Sequence, residues 1–230
     1  MFENASEIFL RRSSDGLPAT WPTRLRLEAS AEWLEVRFEC QDERAWGSMS
    51  ERDAPLWQEE VVEVFLAPTG DSESDLLAAP REYIELEVSP KGALFDAWVK
   101  NPQGDRSAMT VDTAWDWPGI EWRAGRLPSL PADRQDWWAE LRLPWRGLGY
   151  DAAPLFLRAN FYRVERPSGA AGPDDEYTAW SPTWADPPDF HRPDMFGLVV
   201  AGSALVDADA RRRVESFRRA SKPVAVLDMI

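Results

Sequence analysis

The sequence has one cysteine, Cys40, and one histidine, His191, in 230 residues. A lone cysteine excludes an intrachain disulfide, and the pair excludes a zinc centre built from several His and Cys ligands. Any Ser-His-Asp or Cys-His arrangement would have to use His191. The Gly-x-Ser-x-Gly elbow, the Walker loop and the dinucleotide-binding glycine fingerprint are all missing. No stretch approaches the ~20 apolar residues of a membrane span. The opening Met-Phe-Glu-Asn-Ala-Ser-Glu lacks the basic start and apolar run of a signal peptide. A reduced, cytoplasmic setting is therefore the default expectation. No internal repeat is visible.

Basic residues are also scarce. Twenty-six Lys and Arg stand against 40 Asp and Glu, a formal net charge of −14. Phosphate backbones and anionic membrane surfaces need concentrated positive charge, so neither is an expected partner. Tryptophan, by contrast, is abundant: 13 residues, within an aromatic content of 12%. Trp fills cores, and it also makes flat stacking surfaces.

Period-two alternation dominates the chain. Leu34, Val36, Phe38 and Cys40 share one face of a run, which makes Cys40 a buried structural thiol rather than a nucleophile. Val62, Val64 and Leu66 continue the pattern. Ile84, Leu86 and Val88 alternate with Tyr83, Glu85 and Glu87. Further runs lie at 23–30, 138–143, 155–164 and 196–201, with Pro, Gly, Asp and Asn clustered between them. About ten strands of this kind predict an all-β, two-sheet antiparallel sandwich of jelly-roll type. The expected organisation is one domain over 1–230, with its core at about 20–202. One helix is predicted at about 207–220, docked through Val214 and Phe217, with its arginines in solvent. The segments 68–81 and 100–108 read as polar loops. The Pro-rich segment 182–193 carries Trp184, Phe190 and His191, and rigid aromatic loops of this kind tend to be functional.

Several residues suit sugar recognition. Pyranose C–H faces stack on aromatic rings, and hydroxyls need fixed donors and acceptors. Trp57 precedes the acidic start of a strand, Phe190 and His191 sit together in the rigid loop, and Arg158, Asn160 and Tyr162 share one strand face. Each reads equally as a structural or solvated side chain. Glu59, Glu60 and Glu63 lie close together, and Glu85 and Glu87 share a face. Such pairs are expected by chance in so acidic a chain, yet alternating acids can also hold a hard cation through oxygen ligands.

The stretch Leu56-Trp57-Gln58-Glu59-Glu60-Val61-Val62-Glu63-Val64-Phe65-Leu66 resembles a strand opening of the family 9 carbohydrate-binding modules. Tyr83–Val88 followed by Gly92 and Asp96 is similar to their next hairpin. Asp136–Trp145, with Leu143-Pro144-Trp145, is similar to the family's strand that ends in an Ile-Pro-Trp-like turn, and Ala179-Trp180-Ser181-Pro182 followed by Phe190–Gly197 resembles its closing signature, so the likeness spans about 20–202. It implies a non-catalytic module binding a sugar end or a similar polyhydroxylated ligand between two aromatic walls, here Trp57 and Phe190. It further implies polar contacts from Glu63, Glu85, Arg158, Asn160 and His191, and a structural calcium. Glu85 stands roughly where the family carries a sugar-binding Arg, exchanging a donor for an acceptor. Two other readings stay open: an intracellular protein-interaction scaffold, and a glycoside hydrolase using Glu63 and Glu85.

Overall fold

The computed structural model describes residues 7–128 and 134–228. The smaller sheet has the order β1 (Glu7–Phe9), β3 (Thr23–Ala29), β4 (Trp33–Cys40), β10 (Trp137–Pro144) and β9 (Glu121–Arg126). The larger sheet runs β14 (Val224–Leu227), β13 (Gly197–Ala201), β11 (Phe156–Glu165), β5 (Val61–Ala67), β6 (Glu82–Val88), β7 (Leu94–Lys100) and β8 (Thr110–Asp112). β12 (Glu176–Ala179) branches from β11 and pairs in turn with β2 (Arg11–Arg12). All pairings are antiparallel except β13 with β14. The connection between those two strands is α2 (Ala208–Arg219), the kind of crossover that parallel pairing requires. The architecture is thus the all-β sandwich expected from the alternation.

The two sheets bury different patterns. In β4, Leu34, Val36, Phe38 and Cys40 are fully buried, while Trp33, Glu35, Arg37 and Glu39 meet solvent in part. Those outer charges pair across strands, as in Arg37–Glu140 at 2.8 Å and Arg142–Glu35 at 3.1 Å. Burial pushes the Cys40 thiol up to about 12, so it stays protonated. β5 is buried on both faces. Val62, Val64 and Leu66 pack with Ile84, Leu86, Val88 and Phe161 against the smaller sheet. Val61 and Phe65 join Tyr83, Phe95, Tyr162, Phe190 and Phe196 in a second cluster on the far face. The larger sheet is therefore a central layer, and the loops and α2 cover its outer side.

The predicted helix appears as α2, capped by the Asp207 side chain, which accepts from the Ala210 N–H at 2.9 Å. Val214 and Phe217 are buried beside Phe156, Leu198 and Val200. The 68–81 segment is not all loop. Ser72 caps a short helix, α1 (Glu73–Leu77), and Leu76 enters the same cluster as Phe217. One buried leucine in an otherwise polar stretch is too weak a period to read from sequence. Among the described residues no helix is long and apolar enough to cross a membrane.

Candidate functional site

A cavity of about 500 Å³ opens over the outer face of the larger sheet. Its apolar lining comes from Trp57, Phe95, Met109, Val164, Tyr177 and Phe190. Its polar lining includes Glu63, Glu85, Arg106, Arg166 and His191.

Trp57 lies on a 3₁₀ turn, Leu56–Gln58, whose Leu56 is buried and anchors it. Trp57 is 45% exposed, and its ring meets the Phe95 ring edge-on, with centroids 5.3 Å apart. The turn is tied down from both sides. The Glu59 carboxylate accepts from the Ser48 and Met49 N–H groups at 2.7 and 3.1 Å. Arg166 donates to the Trp57 and Glu59 carbonyls at 2.9 and 3.1 Å, and its other arm pairs with Asp175. Arg166 is thus largely committed to holding this wall.

Phe190 is 7% exposed. It stacks on Tyr162 at 4.2 Å and meets Tyr177 edge-on at 5.9 Å. Its carbonyl accepts from the Tyr162 hydroxyl at 3.1 Å. Next to it, His191 Nδ1 shares a 2.7 Å hydrogen bond with the Tyr83 hydroxyl, and Nε2 lies 3.8 Å from Glu85 Oε1. Burial takes the His191 pKa down to about 3, so the imidazole is neutral and the Glu85 contact is not an ion pair at physiological pH. Arg106 fastens the loop from outside, donating to Asp189 Oδ1 at 2.9 Å.

The floor is acidic because of strand register. Glu63 of β5 stands directly opposite Glu87 of β6, and Glu85 follows two residues away on the same face. One carboxylate oxygen of each lies within 4.8 Å of the others, and all three side chains are buried. No Arg, Lys or hydroxyl side chain answers the buried Glu87, and the hydrogen bond it shares with Glu85 favours the proton on Glu87 and the charge on Glu85. The Trp57 N–H favours the ionised Glu87 but lies outside hydrogen-bond geometry. Burial first, and then mutual repulsion, hold Glu63 and Glu87 well above the usual carboxylate range. Burial moves Glu85 up to about 7.

A second buried triad, Asp42, Glu60 and Glu165, occupies the end of the sandwich interior. There the charge is answered from within the chain. One guanidinium nitrogen of Arg163 contacts Asp42 and Glu60 at 3.0 Å each, and also Glu165. The Trp137 indole N–H adds a 2.8 Å bond to Glu60.

Trp57, Glu63, Glu85, Phe190 and His191 therefore come together around one cavity. Arg158 and Asn160 share the sheet face but do not reach it. Arg158 donates to the carbonyls of Leu76, Ala78 and Phe196 at 2.7–2.8 Å, and Phe217 covers its guanidinium at 4.9 Å. Asn160 donates to the Ser181 carbonyl at 2.8 Å and accepts from the Phe161 and Ser181 N–H groups. Both side chains satisfy buried backbone groups, which apolar residues would leave unpaired. Phe95, Arg106, Arg166 and Tyr177 carry no sequence signal that singles them out. Glu87 does, since it shares the strand face of Glu85.

No protein-family model matches the chain. It is 27% identical over 182 residues to an "Extracellular protein" of the fungus Arthroderma benhamiae, a match covering 77% of this chain and 78% of the relative. Among solved structures it is similar to a candidate carbohydrate-binding protein of Bacteroides uniformis, at a TM-score of 0.65 and 15% identity over 85% of this chain and 86% of the other. It is also similar to a family 9 carbohydrate-binding module of Caldicellulosiruptor kristjanssonii solved with cellotriose, at a TM-score of 0.56 and 15% identity over 86% and 83%. The same organism's module with glucose aligns at 0.54 and 16% over 86% and 85%. The fold is that of the family 9 carbohydrate-binding modules.

Proposed function

We propose that this chain is a non-catalytic carbohydrate-binding domain that takes a sugar end, or a similar small polyhydroxylated ligand, in the cavity under Trp57. The observation that carries this reading is the pairing of an exposed indole with buried hydroxyl acceptors across one opening. The Trp57 face supplies a C–H stacking surface, and Glu63 and Glu85 supply acceptors below it. The modules solved with glucose and cellotriose have the same fold. Glu63 and Glu85 lie side by side on one sheet face, not on either side of a space where a glycosidic bond would sit, which favours binding over hydrolysis. Trp57 and Phe190 each pack on other rings and leave the cavity open, which favours a small-molecule ligand over a scaffold role. The net charge of −14 also argues against nucleic acid as a ligand.

Calorimetric titration with glucose and cellotriose, with a non-carbohydrate polyether of similar size as control, tests the proposal. Saturable heat with a sugar that disappears in Trp57→Ala supports it. Wild-type protein that binds neither sugar, nor any member of a glycan array, overturns it.

A further inference from the structure

Resting on the carbohydrate reading of the cavity, we propose that its glycan continues past Tyr177 and Pro188 into a second groove lined by Trp21. The chain then takes an oligosaccharide longer than a disaccharide.

The groove has a volume of about 560 Å³, beside the cavity's 500 Å³. Each has the size of a small-ligand site, roughly 300–1,000 Å³. The two share a boundary, Tyr177 and Pro188, so an occupant that leaves one enters the other. Tyr177 is a fixed divider. Its ring meets Phe190 edge-on at 5.9 Å, and its carbonyl accepts from the Ser13 N–H at 2.8 Å. Toward the other edge of the sheet, at β8, the cavity ends on Val111 and Thr113, which offer no ring.

Trp21 is partly buried and is set in place by the strand that carries Tyr177. The Glu176 carboxylate, on β12, accepts from the Thr20 and Trp21 N–H groups at 2.8 and 2.9 Å, across 156 and 155 residues of sequence. Pairing of Thr178 with Arg12 fixes the start of the same segment. A ring held in this way loses little freedom when a ligand stacks on it.

The ring is also left uncovered. On the smaller sheet, Arg142 lies over Trp33 at 3.7 Å and Arg37 over Trp138 at 4.8 Å. Among the described residues no ring or guanidinium covers Trp21. Around it, Thr20, Ser168 and Asp174 line the groove with side chains that make no hydrogen bond to the other described residues. An open ring beside unused hydroxyl and carboxylate groups matches the C–H face and hydroxyls of a pyranose. The apolar side chains of a protein partner would instead bury those polar groups unpaired, at a cost.

Calorimetric titration with glucose, cellobiose, cellotriose and cellotetraose, and with the xylose series of the same lengths, tests the proposal. In the series that wild type binds, affinity should rise at least about tenfold from disaccharide to tetrasaccharide, with one ligand per chain. Trp21→Ala should bring the tetrasaccharide down to the affinity of the disaccharide, whereas Trp57→Ala should weaken every length. Ser168→Trp, at an exposed position on the opposite bank, fills the groove and should remove the rise as well. Its melting curve should match that of wild type, so it answers the question even where Trp21→Ala loses stability. Equal wild-type affinity for disaccharide and tetrasaccharide overturns the proposal, as does a length dependence that both variants retain, or two monosaccharides bound per chain. Each of those results leaves the carbohydrate reading standing. Wild type that binds no sugar of either series, and no member of a glycan array, overturns that reading and the extended groove together.

Discussion

Individual side chains divide into those that shape the cavity and those that hold the protein together, and truncation separates them. Trp57 is 45% exposed, so Trp57→Ala should barely move the unfolding midpoint. It should weaken sugar binding at least tenfold, about 1.4 kcal/mol. Phe190 also lines the cavity but is stacked on Tyr162 and buried, so Phe190→Ala should cost about 3–5 kcal/mol of stability. Paired urea melts and sugar titrations check both. An equal stability loss in the two variants would show that Trp57 is a core residue. Arg163 gives the sharpest electrostatic case. Arg163→Met leaves Asp42, Glu60 and Glu165 buried around no cation, at a cost of about 3–5 kcal/mol. Because acids can take up protons instead, the loss should be larger at pH 8 than at pH 5 in urea melts. A loss independent of pH would mean that packing, not charge, sets the effect.

At the level of elements, much of the sandwich is legible in the alternation. β4, β5, β6 and β11 carry the strongest alternating runs, and α2 follows from Asp207, Val214 and Phe217. The helix docks through that short apolar stripe, so Phe217→Ala should cost about 3–5 kcal/mol. A melt that loses less than a third of that would place the docking energy elsewhere. The site is less legible than the fold. Period two puts Glu85 and Glu87 on one face, but the placement of Glu63 opposite Glu87 depends on the β5–β6 register, which no local pattern reveals. Arg158 and Asn160 show a different limit. Their strand face is readable, but the groups they serve are carbonyls and N–H groups of Leu76, Ala78, Ser181 and Phe196, which reach them only through the fold. A polar residue on the ligand-facing side of a sheet is a site candidate only until the covering loops are known.

For the whole molecule, the buried acids set an unusual pH response. Glu85 has a folded pKa of about 7 and Asp42 about 8, chiefly through burial, against ordinary values of 4.5 and 3.8. A group raised in this way contributes stability that is complete below its unfolded pKa and is lost as pH rises through the folded one. Without added cations, stability should therefore fall between about pH 5 and pH 8. His191 acts in the opposite sense, because its folded pKa near 3 lies below the ordinary 6.5 and its contribution is lost on acidification. Urea midpoints in chelator across this range, with Glu85→Gln beside wild type, read the sum. The decline should be shallower in the variant, and a wild-type midpoint that climbs steadily to pH 8 would contradict the assignment.

The acidic floor has a further effect before any ligand arrives. The strands of the larger sheet are apolar enough on both faces that composition alone says little about which way up they pair. If β6 slipped by one residue against β5, its faces would exchange. Glu85 and Glu87 would then point between the sheets, among Val62, Val64 and Phe161, away from water. Misregistered chains would thus carry desolvated carboxylates into the most apolar part of the molecule. Glu85 and Glu87 thus mark one strand face during assembly, and a sequence with leucine in their place would fold with less certainty about its own orientation.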